Sequence, residues 1–172
     1  NDYRSPIEIA KYFAQYSEDK DTPILDVGAG TGLIGECLNL KSKEIDAIDI
    51  SPEMLNIART KNCYSEIIEA DLTKRLFIND NHYGSIVSAG TFTHGHVGPN
   101  VLDELLRVAR PGALFIFTVH YKLFKKAGFD KKLKEIKKNI TQPTFHEVNV
   151  YGSNPDKKHG SDQVIITVFR KK

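Results

Sequence analysis

Three glycines at alternate positions, Gly28, Gly30 and Gly32, follow directly on the apolar run at residues 24–27. Glycine tolerates backbone torsions that other residues avoid, and its lack of a side chain lets a ligand approach the main chain closely. Such a cluster between a strand and a helix is typical of nucleotide-binding turns, with an ordinary tight turn as the alternative. We therefore expect a nucleotide-like ligand at this turn.

Two carboxylates follow the next two predicted strands. Asp49 lies near the end of the apolar run at 45–50, and Asp71 follows the short run at 66–70. Ligands of an open α/β sheet bind beyond the carboxyl ends of its strands, where an ionised carboxylate can accept hydrogen bonds from both ribose hydroxyls. We predict this role for Asp49, with a solvated turn acid as the alternative, and expect Asp71 to accept a hydrogen bond from an adenine amino group.

A nicotinamide dinucleotide would explain the turn and Asp49 equally well. Its pyrophosphate fingerprint is G-x-G-x-x-G, whereas the spacing here is Gly28-x-Gly30-x-Gly32, with the next glycine at Gly35. The spacing and Asp71 therefore disfavour an NAD-dependent oxidoreductase, which stays an alternative.

The elements that must position these residues alternate between strand and helix. The predicted strands are at 24–27, 45–50, 66–70, 83–89 and 113–119, and the predicted helices are at 5–16, after Gly32, at 51–61 and at 100–108. Ser5 and Ser51 are the predicted caps of their helices, and the helix after Gly32 should pack through Leu33, Ile34, Cys37 and Leu38. This alternation implies a parallel sheet with helices on both faces, joined by right-handed crossovers.

The last third of the chain departs from this alternation. A lysine-rich stretch at 122–138 has its apolar residues spaced as one face of an amphipathic helix, at Phe129, Leu133, Ile136 and Ile140. Residues 145–150 and 163–169 predict an antiparallel hairpin. The predicted fold is a single α/β domain over residues 1–172, Rossmann-like and doubly wound, with a mostly parallel sheet that ends in an antiparallel C-terminal hairpin.

Composition restricts the possible partners. The 172 residues carry 24 Lys and Arg against 22 Asp and Glu, a net charge of +2. Such a balance gives no overall field that would demand nucleic acid or a membrane surface. The two cysteines, Cys37 and Cys63, are too few for a disulfide scaffold and lie in no metal-ligand spacing. No apolar run reaches the roughly 18 residues of a membrane span. We therefore expect a soluble, cytoplasmic protein. From the lack of a metal-ligand spacing we expect no metal.

Five segments match, in order, the motifs of one enzyme family. They are Asp26-Val27-Gly28-Ala29-Gly30-Thr31-Gly32, Asp49-Ile50-Ser51 with Met54, Glu69-Ala70-Asp71-Leu72, Ser88-Ala89-Gly90, and the stretch 107–113 before the fifth strand. On these residues the sequence resembles the class I S-adenosylmethionine-dependent methyltransferases over nearly its whole length. The resemblance implies a seven-stranded sheet whose last strand is antiparallel.

The resemblance also implies a set of cofactor-binding residues. It places the methionine end of S-adenosylmethionine at the first motif, the ribose at Asp49, and adenine beside Asp71. The implied cofactor-binding residues are Asp26, Gly28, Ala29, Gly30, Gly32, Asp49, Ile50, Met54, Asp71, Leu72, Ser88 and Ala89.

The segment Gly90–Pro99 resembles the Williams-Beuren-region methyltransferase-like group within that superfamily. Members of such families carry an upstream segment that covers the cofactor. The sequence begins at Asn1 without an initiator Met, and we expect residues 1–4 to be the end of such a lid.

Two histidines lie in the loop that should face the reactive methyl group, at His94 and His96. Methyl transfer is an in-line displacement in which alignment alone can contribute about 7 to 11 kcal/mol, so no catalytic side chain is strictly required. A general base with a pKa near neutral would assist an acidic nucleophile. We predict His94 as that base or as an orienting group, the alternative being that the histidines only order the loop. His96, His120 and Tyr121 are candidates for the substrate wall.

The sequence therefore predicts an S-adenosylmethionine-dependent methyltransferase acting on oxygen or nitrogen of a small-molecule acceptor. A protein or RNA methyltransferase is an alternative, favoured if the basic stretch at 122–138 flanks the pocket mouth. That stretch lacks interleaved exposed aromatic residues, which disfavours nucleic acid. A non-catalytic S-adenosylmethionine-binding module is the remaining alternative.

Overall fold

The computed structural model describes residues 3–40, 44–92, 97–150 and 162–172. Seven strands form one sheet: β1 Ile24–Val27, β2 Ile45–Asp49, β3 Ile67–Glu69, β4 Tyr83–Phe92, β5 Ala109–His120, β6 Thr144–Asn149 and β7 Gln163–Arg170. The helices are α1 Ser5–Tyr16, α2 Leu33–Leu38, α3 Pro52–Thr60, α4 Val101–Val108, α5 Tyr121–Lys126 and α6 Phe129–Glu135, with a short 3-10 helix at Asp19–Asp21.

The strand order is β3-β2-β1-β4-β5-β7-β6. The first five strands are parallel, and β7 pairs antiparallel with both β5 and β6. The predicted Rossmann-like fold with an antiparallel C-terminal hairpin is therefore confirmed. Strand order reverses between β1 and β4, and this is where an open α/β sheet binds its ligands.

Both faces of the sheet are covered by apolar layers. On β1, Leu25 and Val27 pack into the layer that holds α4 and α6, while Ile24 packs into the layer that holds α1, α2 and α3. Because side chains alternate along a strand, Asp26 points to the same face as Ile24. A carboxyl group is thus buried in an otherwise apolar layer directly below the glycine turn.

Some local expectations were wrong. Ser5 is the first residue of α1 and is buried, and the cap position is Arg4, without a side-chain cap. On α2 the buried residues are Ile34 and Gly35, while Leu33 and Cys37 are exposed, because so short a helix turns only one narrow side to the sheet. The cap at Ser51 is confirmed, since its Oγ accepts a hydrogen bond from the Met54 amide at 3.2 Å.

The lysine-rich stretch forms two short helices instead of one. The helical path is interrupted at Gly128, whose φ of +88° lies in the left-handed region that favours glycine. The predicted apolar face is nevertheless buried as a unit, with Phe129, Leu133, Ile136 and Ile140 all in the core.

The C-terminal strand is tied to the start of the sheet by a partly buried ion pair. The Arg170 guanidinium donates to both carboxylate oxygens of Asp21 at 2.9 Å, and also to the carbonyls of Tyr16 and Gly112. A bidentate ion pair of this kind fixes the relative orientation of the two side chains as well as the distance between them. No helix in the described part of the chain is long and apolar enough to cross a membrane.

Candidate functional site

A cavity of about 260 Å³ opens at the carboxyl ends of β1, β2 and β4. It is lined by Gly28, Asp49, Ile50, Asp71, Leu72, Ala89, Gly90, Thr91 and Val97. Six of these residues belong to the predicted cofactor set. The parallel sheet has therefore brought the first, second, third and fourth motifs to one place.

The three glycines of the turn have different neighbours, although each has a positive φ. A Cβ on Gly28 would lie 2.0 Å from Thr91 Oγ1, and a Cβ on Gly32 would lie 3.0 Å from a ring carbon of Tyr64. A Cβ on Gly30 would meet no atom within 4 Å. Gly28, which also lines the cavity, and Gly32 thus leave room for protein side chains, whereas a Cβ on Gly30 would point into open space.

Asp49 connects the glycine turn to the end of β2. Its Oδ2 accepts a hydrogen bond from the Gly30 amide at 2.9 Å, and its Oδ1 accepts one from the Ser51 amide at 2.9 Å. An ionised carboxylate offers about four lone-pair positions, so these two bonds leave acceptor capacity for a pair of hydroxyls. The geometry fits the predicted ribose contact.

Asp71 is fixed in its ionised form by the residue that follows it in the turn. Its Oδ1 accepts hydrogen bonds from both the hydroxyl and the amide of Thr73, at 2.6 and 2.9 Å. The side-chain hydrogen bond from Thr73, followed by the backbone one, lowers the pKa of this carboxyl. Asp71 is therefore an acceptor at the cavity wall, as an adenine amino group requires.

Ile50 leaves an apolar surface uncovered beside Asp49, with 65% of its area exposed. Met54, on the first turn of α3, is also exposed but is not among the residues that line the cavity. Large apolar side chains exposed at the rim of a cavity are suited to cover a flat ring.

Ser88 lies beneath the cavity rather than in its wall. Its buried hydroxyl is 2.7 Å from the Val27 carbonyl and 2.8 Å from Thr91 Oγ1. Thr91 Oγ1 in turn is 2.9 Å from the same carbonyl. These contacts hold the end of β4 against the end of β1 and so support the floor on which Ala89 lies.

Asp26 is almost completely buried, with 1% of its area exposed, and does not line the cavity. Its Oδ2 accepts a hydrogen bond from the Tyr64 hydroxyl at 2.6 Å, while Oδ1 has no partner within the described part of the chain. Burial raises the pKa of this carboxyl to about 7; the hydrogen bond from Tyr64 opposes that rise, and the charge of Asp49 adds to it.

Two tyrosines belong to the site's surroundings and were missed by sequence reasoning. Tyr64 fills the space under the turn, and the Tyr3 hydroxyl would lie 2.8 Å from a Cβ on Gly90. The Arg4 amide donates to the Val150 carbonyl at 2.8 Å, which holds this N-terminal segment at the rim. Nothing in the local sequence marks either tyrosine, because each reaches the site through a long-range contact.

Of the four predicted substrate-side residues, the structure describes two. His94 and His96 lie outside the described residues. His120 ends β5, and its Nδ1 accepts a hydrogen bond from the Lys122 amide at 3.2 Å, while Tyr121 is exposed. Neither residue lines the cavity, although both lie at the same edge of the sheet.

No group of three or more His, Cys, Asp or Glu side chains in the described part of the chain could hold a metal ion. What the cavity offers is a glycine turn, two carboxylates and an apolar rim at the point where strand order reverses. This combination defines a Rossmann-like domain that binds a nucleoside, of the class I methyltransferase type.

Comparison with known proteins identifies the family. The sequence profile described as "Methyltransferase domain" matches residues 25–117. The malonyl-[acyl-carrier protein] O-methyltransferase of Buchnera aphidicola subsp. Baizongia pistaciae is 28% identical over 147 residues, which cover 84% of this chain and 58% of that protein. The demethylmenaquinone methyltransferase of Clavibacter sepedonicus is 28% identical over 135 residues, which cover 74% of this chain and 54% of that protein. The crystal structure of a SAM-dependent methyltransferase from Aquifex aeolicus is similar with a TM-score of 0.66 and 19% identity, over 98% of this chain and 93% of that one.

The chain belongs to the methyltransferase domain family, and its cofactor is S-adenosylmethionine. The nicotinamide alternative is therefore wrong, in agreement with the glycine spacing. The chain spans little more than half the length of the two curated relatives named above.

Because Gly28 and Gly30 have different neighbours, we predict that their alanine variants have different main defects. Both positions have positive φ, which costs an alanine about 1 to 2 kcal/mol. Gly28→Ala also collides with Thr91 and should lower the thermal midpoint further, whereas Gly30→Ala should lose affinity for S-adenosylhomocysteine by at least about tenfold. Calorimetry and thermal unfolding measure the two effects. Wild-type affinity in a folded Gly30→Ala variant would contradict a ligand at that position.

The buried carboxyl of Asp26 predicts a pH-dependent change in stability. Because its pKa rises from 3.8 to about 7 on folding, the folded protein keeps a proton that the unfolded chain loses between these values. This contribution is fully present below about pH 4 and is lost as the pH rises to 7. Relative to Asp26→Asn, the wild type should lose on the order of 4 kcal/mol of unfolding free energy over this range. Denaturant unfolding of both proteins without ligand measures the difference, and a difference that is constant with pH would contradict the proton on Asp26.

Proposed function

We propose that the chain is the catalytic domain of an enzyme that transfers a methyl group from S-adenosylmethionine to oxygen or nitrogen of a small-molecule acceptor. The observation that carries the proposal is the convergence of Gly28, Asp49 and Asp71 around one cavity at the strand switch point, with the Gly30 amide hydrogen-bonded to Asp49. Family membership supports the same cofactor and reaction type. We also propose that residues 1–172 form a single domain.

The cavity residues divide the cofactor between them. We assign the ribose to Asp49 and the adenine to Asp71, Leu72 and Ile50, with the methionine end at the turn around Gly30. These assignments agree with the free acceptor capacity of Asp49, the ionised state of Asp71 and the exposed surface of Ile50.

When bound, S-adenosylmethionine supplies a methyl group on a positively charged sulfur. The protein's part is to hold the acceptor atom in line with that methyl group and to exclude water, which can supply most of the rate increase without a catalytic side chain. Gly90 lies on the side of the cavity away from β2, and Tyr3 packs against it. The Gly90 amide donates a hydrogen bond to Thr118 Oγ1 at 3.1 Å. We propose that the acceptor binds there, with His94 as base or orienting group and His96, His120 and Tyr121 near it.

The names of the relatives support the acceptor class. One is a malonyl-[acyl-carrier protein] O-methyltransferase and another a demethylmenaquinone methyltransferase. The resemblance of the Gly90–Pro99 segment supports the Williams-Beuren-region methyltransferase-like group as the subgroup. The free thiols of Cys37 and Cys63 support a reducing, cytoplasmic location.

Transfer of labelled methyl groups to pools of metabolites, proteins and RNA tests the proposal. The wild type should label a component of the metabolite pool. Asp49→Ala should abolish most of that labelling, because loss of the ribose hydrogen bonds weakens cofactor binding by about 1.5 to 3 kcal/mol, or roughly 10- to 150-fold.

The matched control for this experiment is Asp80→Ala, which removes an exposed carboxylate that pairs with Arg107 away from the cavity. It should label as the wild type does. Tight binding of S-adenosylhomocysteine without labelling of any pool would instead favour a non-catalytic binding module.

A protein or RNA acceptor is a second candidate, favoured by the position of α5. Phe92 at the end of β4 pairs with Val119, and α5 begins two residues later, so its lysines lie at the edge of the sheet where the cavity opens. Lys122, Lys125 and Lys126 are exposed, and none of them forms an ion pair within the described ranges. A cluster of exposed lysines at this edge suits an anionic macromolecule.

Neutralising these lysines separates the two candidates. Lys122→Gln/Lys126→Gln should raise the KM for a macromolecular acceptor at least about fivefold with little change in kcat, because electrostatic attraction acts mainly on encounter. Lys137→Gln/Lys138→Gln is the matched control, since it removes the same charge near the opposite end of β5. Equal kinetics in both double variants would leave the small-molecule acceptor as the better proposal.

A further inference from the structure

Tyr64 occupies the space beneath the glycine turn. It lies between α3 and β3 and is 9% exposed. A Cβ on Gly35 would lie 2.6 Å from its hydroxyl, and a Cβ on Gly32 would lie 3.0 Å from its ring. The first part of α2 is therefore shaped around this ring.

The Tyr64 hydroxyl joins the two elements on either side of the turn. It donates to Asp26 Oδ2 on β1 at 2.6 Å and accepts from the Gly35 amide on α2 at 3.2 Å. Gly35 is in the first turn of α2, where backbone amides have no partner inside the helix. One hydroxyl thus satisfies a helix-end amide and one oxygen of a buried carboxyl at once.

We propose that Tyr64 is a positioning residue for S-adenosylmethionine, acting through Asp26 and Gly35 to fix the turn that carries Gly30. The inference rests on the proposed function, because it concerns the same cofactor turn. It adds a residue that lies outside every matched motif.

The chemistry of the pair supports this role. Burial, followed by the charge and hydrogen bond of Asp26, raises the pKa of the Tyr64 hydroxyl far above its usual range, so the hydroxyl stays a donor. The other oxygen of Asp26 has no partner within the described part of the chain, so Tyr64 supplies the hydrogen bond that orients the carboxyl. A turn held from both sides loses less conformational freedom when a ligand binds.

Another buried tyrosine–aspartate pair, within the described residues, provides a matched control. The Tyr83 hydroxyl donates to Asp46 Oδ2 at 2.8 Å, and both residues are buried. This pair lies at the start of β4 and near the start of β2, at the edge of the sheet opposite the cavity.

Calorimetric titration with S-adenosylhomocysteine tests the proposal on three proteins. Tyr64→Phe and Tyr83→Phe each keep the ring and lose one buried hydrogen bond, so both should unfold at a lower temperature. Tyr64→Phe should raise the Kd at least about tenfold, whereas Tyr83→Phe should stay within about twofold of the wild type. If Tyr64→Phe binds as the wild type does, its role is only structural and the proposal is overturned.

A double-mutant cycle tests whether Tyr64 acts through Asp26. Asp26→Ala and Tyr64→Phe should each weaken binding, and the double variant should be no weaker than the weaker single variant, because both changes remove the hydrogen bond between these two side chains. Effects that multiply would overturn the linkage.

These experiments can fail independently of the proposed function, because they measure binding of S-adenosylhomocysteine and not transfer of a methyl group. Absence of methyl labelling in a protein that binds S-adenosylhomocysteine would remove the proposed activity and leave the role of Tyr64 standing.

Discussion

The two hydrogen bonds that Asp49 accepts from the amides of Gly30 and Ser51 are the interaction on which the site depends. They tie the turn after β1 to the turn after β2, and the Asp49 carbonyl accepts a third bond from Ala70 beyond β3. Three neighbouring strand ends are therefore held in register by one residue. Because a charged acceptor strengthens such bonds, a single carboxylate builds this part of the cavity and keeps acceptor capacity for the proposed ribose contact.

The layer under the turn works against stability. Asp26 lies among apolar side chains with one oxygen unpartnered within the described ranges, and burial raises its pKa toward neutrality. Tyr64 reduces the unfavourable free energy of this burial with one short hydrogen bond. Groups with perturbed pKa values cluster at functional sites because function, rather than packing, retains them there. The position of Asp26, directly below the glycine turn, is consistent with that rule.

The two sides of the cavity are built differently. The cofactor side consists of strand ends locked to one another by backbone and carboxylate hydrogen bonds. The proposed acceptor side is formed by Gly90 and the N-terminal segment around Tyr3, and α5 begins at the same edge of the sheet. A rigid half that holds a common cofactor and a half made of variable connections allow one fold to serve many acceptors. The relatives, whose named acceptors differ widely, fit this division.

The sequence by itself determined the fold and most of the residues that line the cavity, because both depend on local patterns. Alternating apolar runs fix the strands, and residues after parallel strands must meet at one edge, so Asp49 and Asp71 could be placed beside the glycine turn without coordinates. Only the tertiary structure decided that Gly32 makes room for Tyr64, that Gly28 makes room for Thr91, and that Asp26 is buried below the site. These facts depend on contacts between residues 29 to 64 positions apart in the sequence, and no local periodicity encodes which side chain fills a given space. Tyr3 at Gly90 is of the same kind, since a side chain packed by tertiary contact carries no signal in its own neighbourhood.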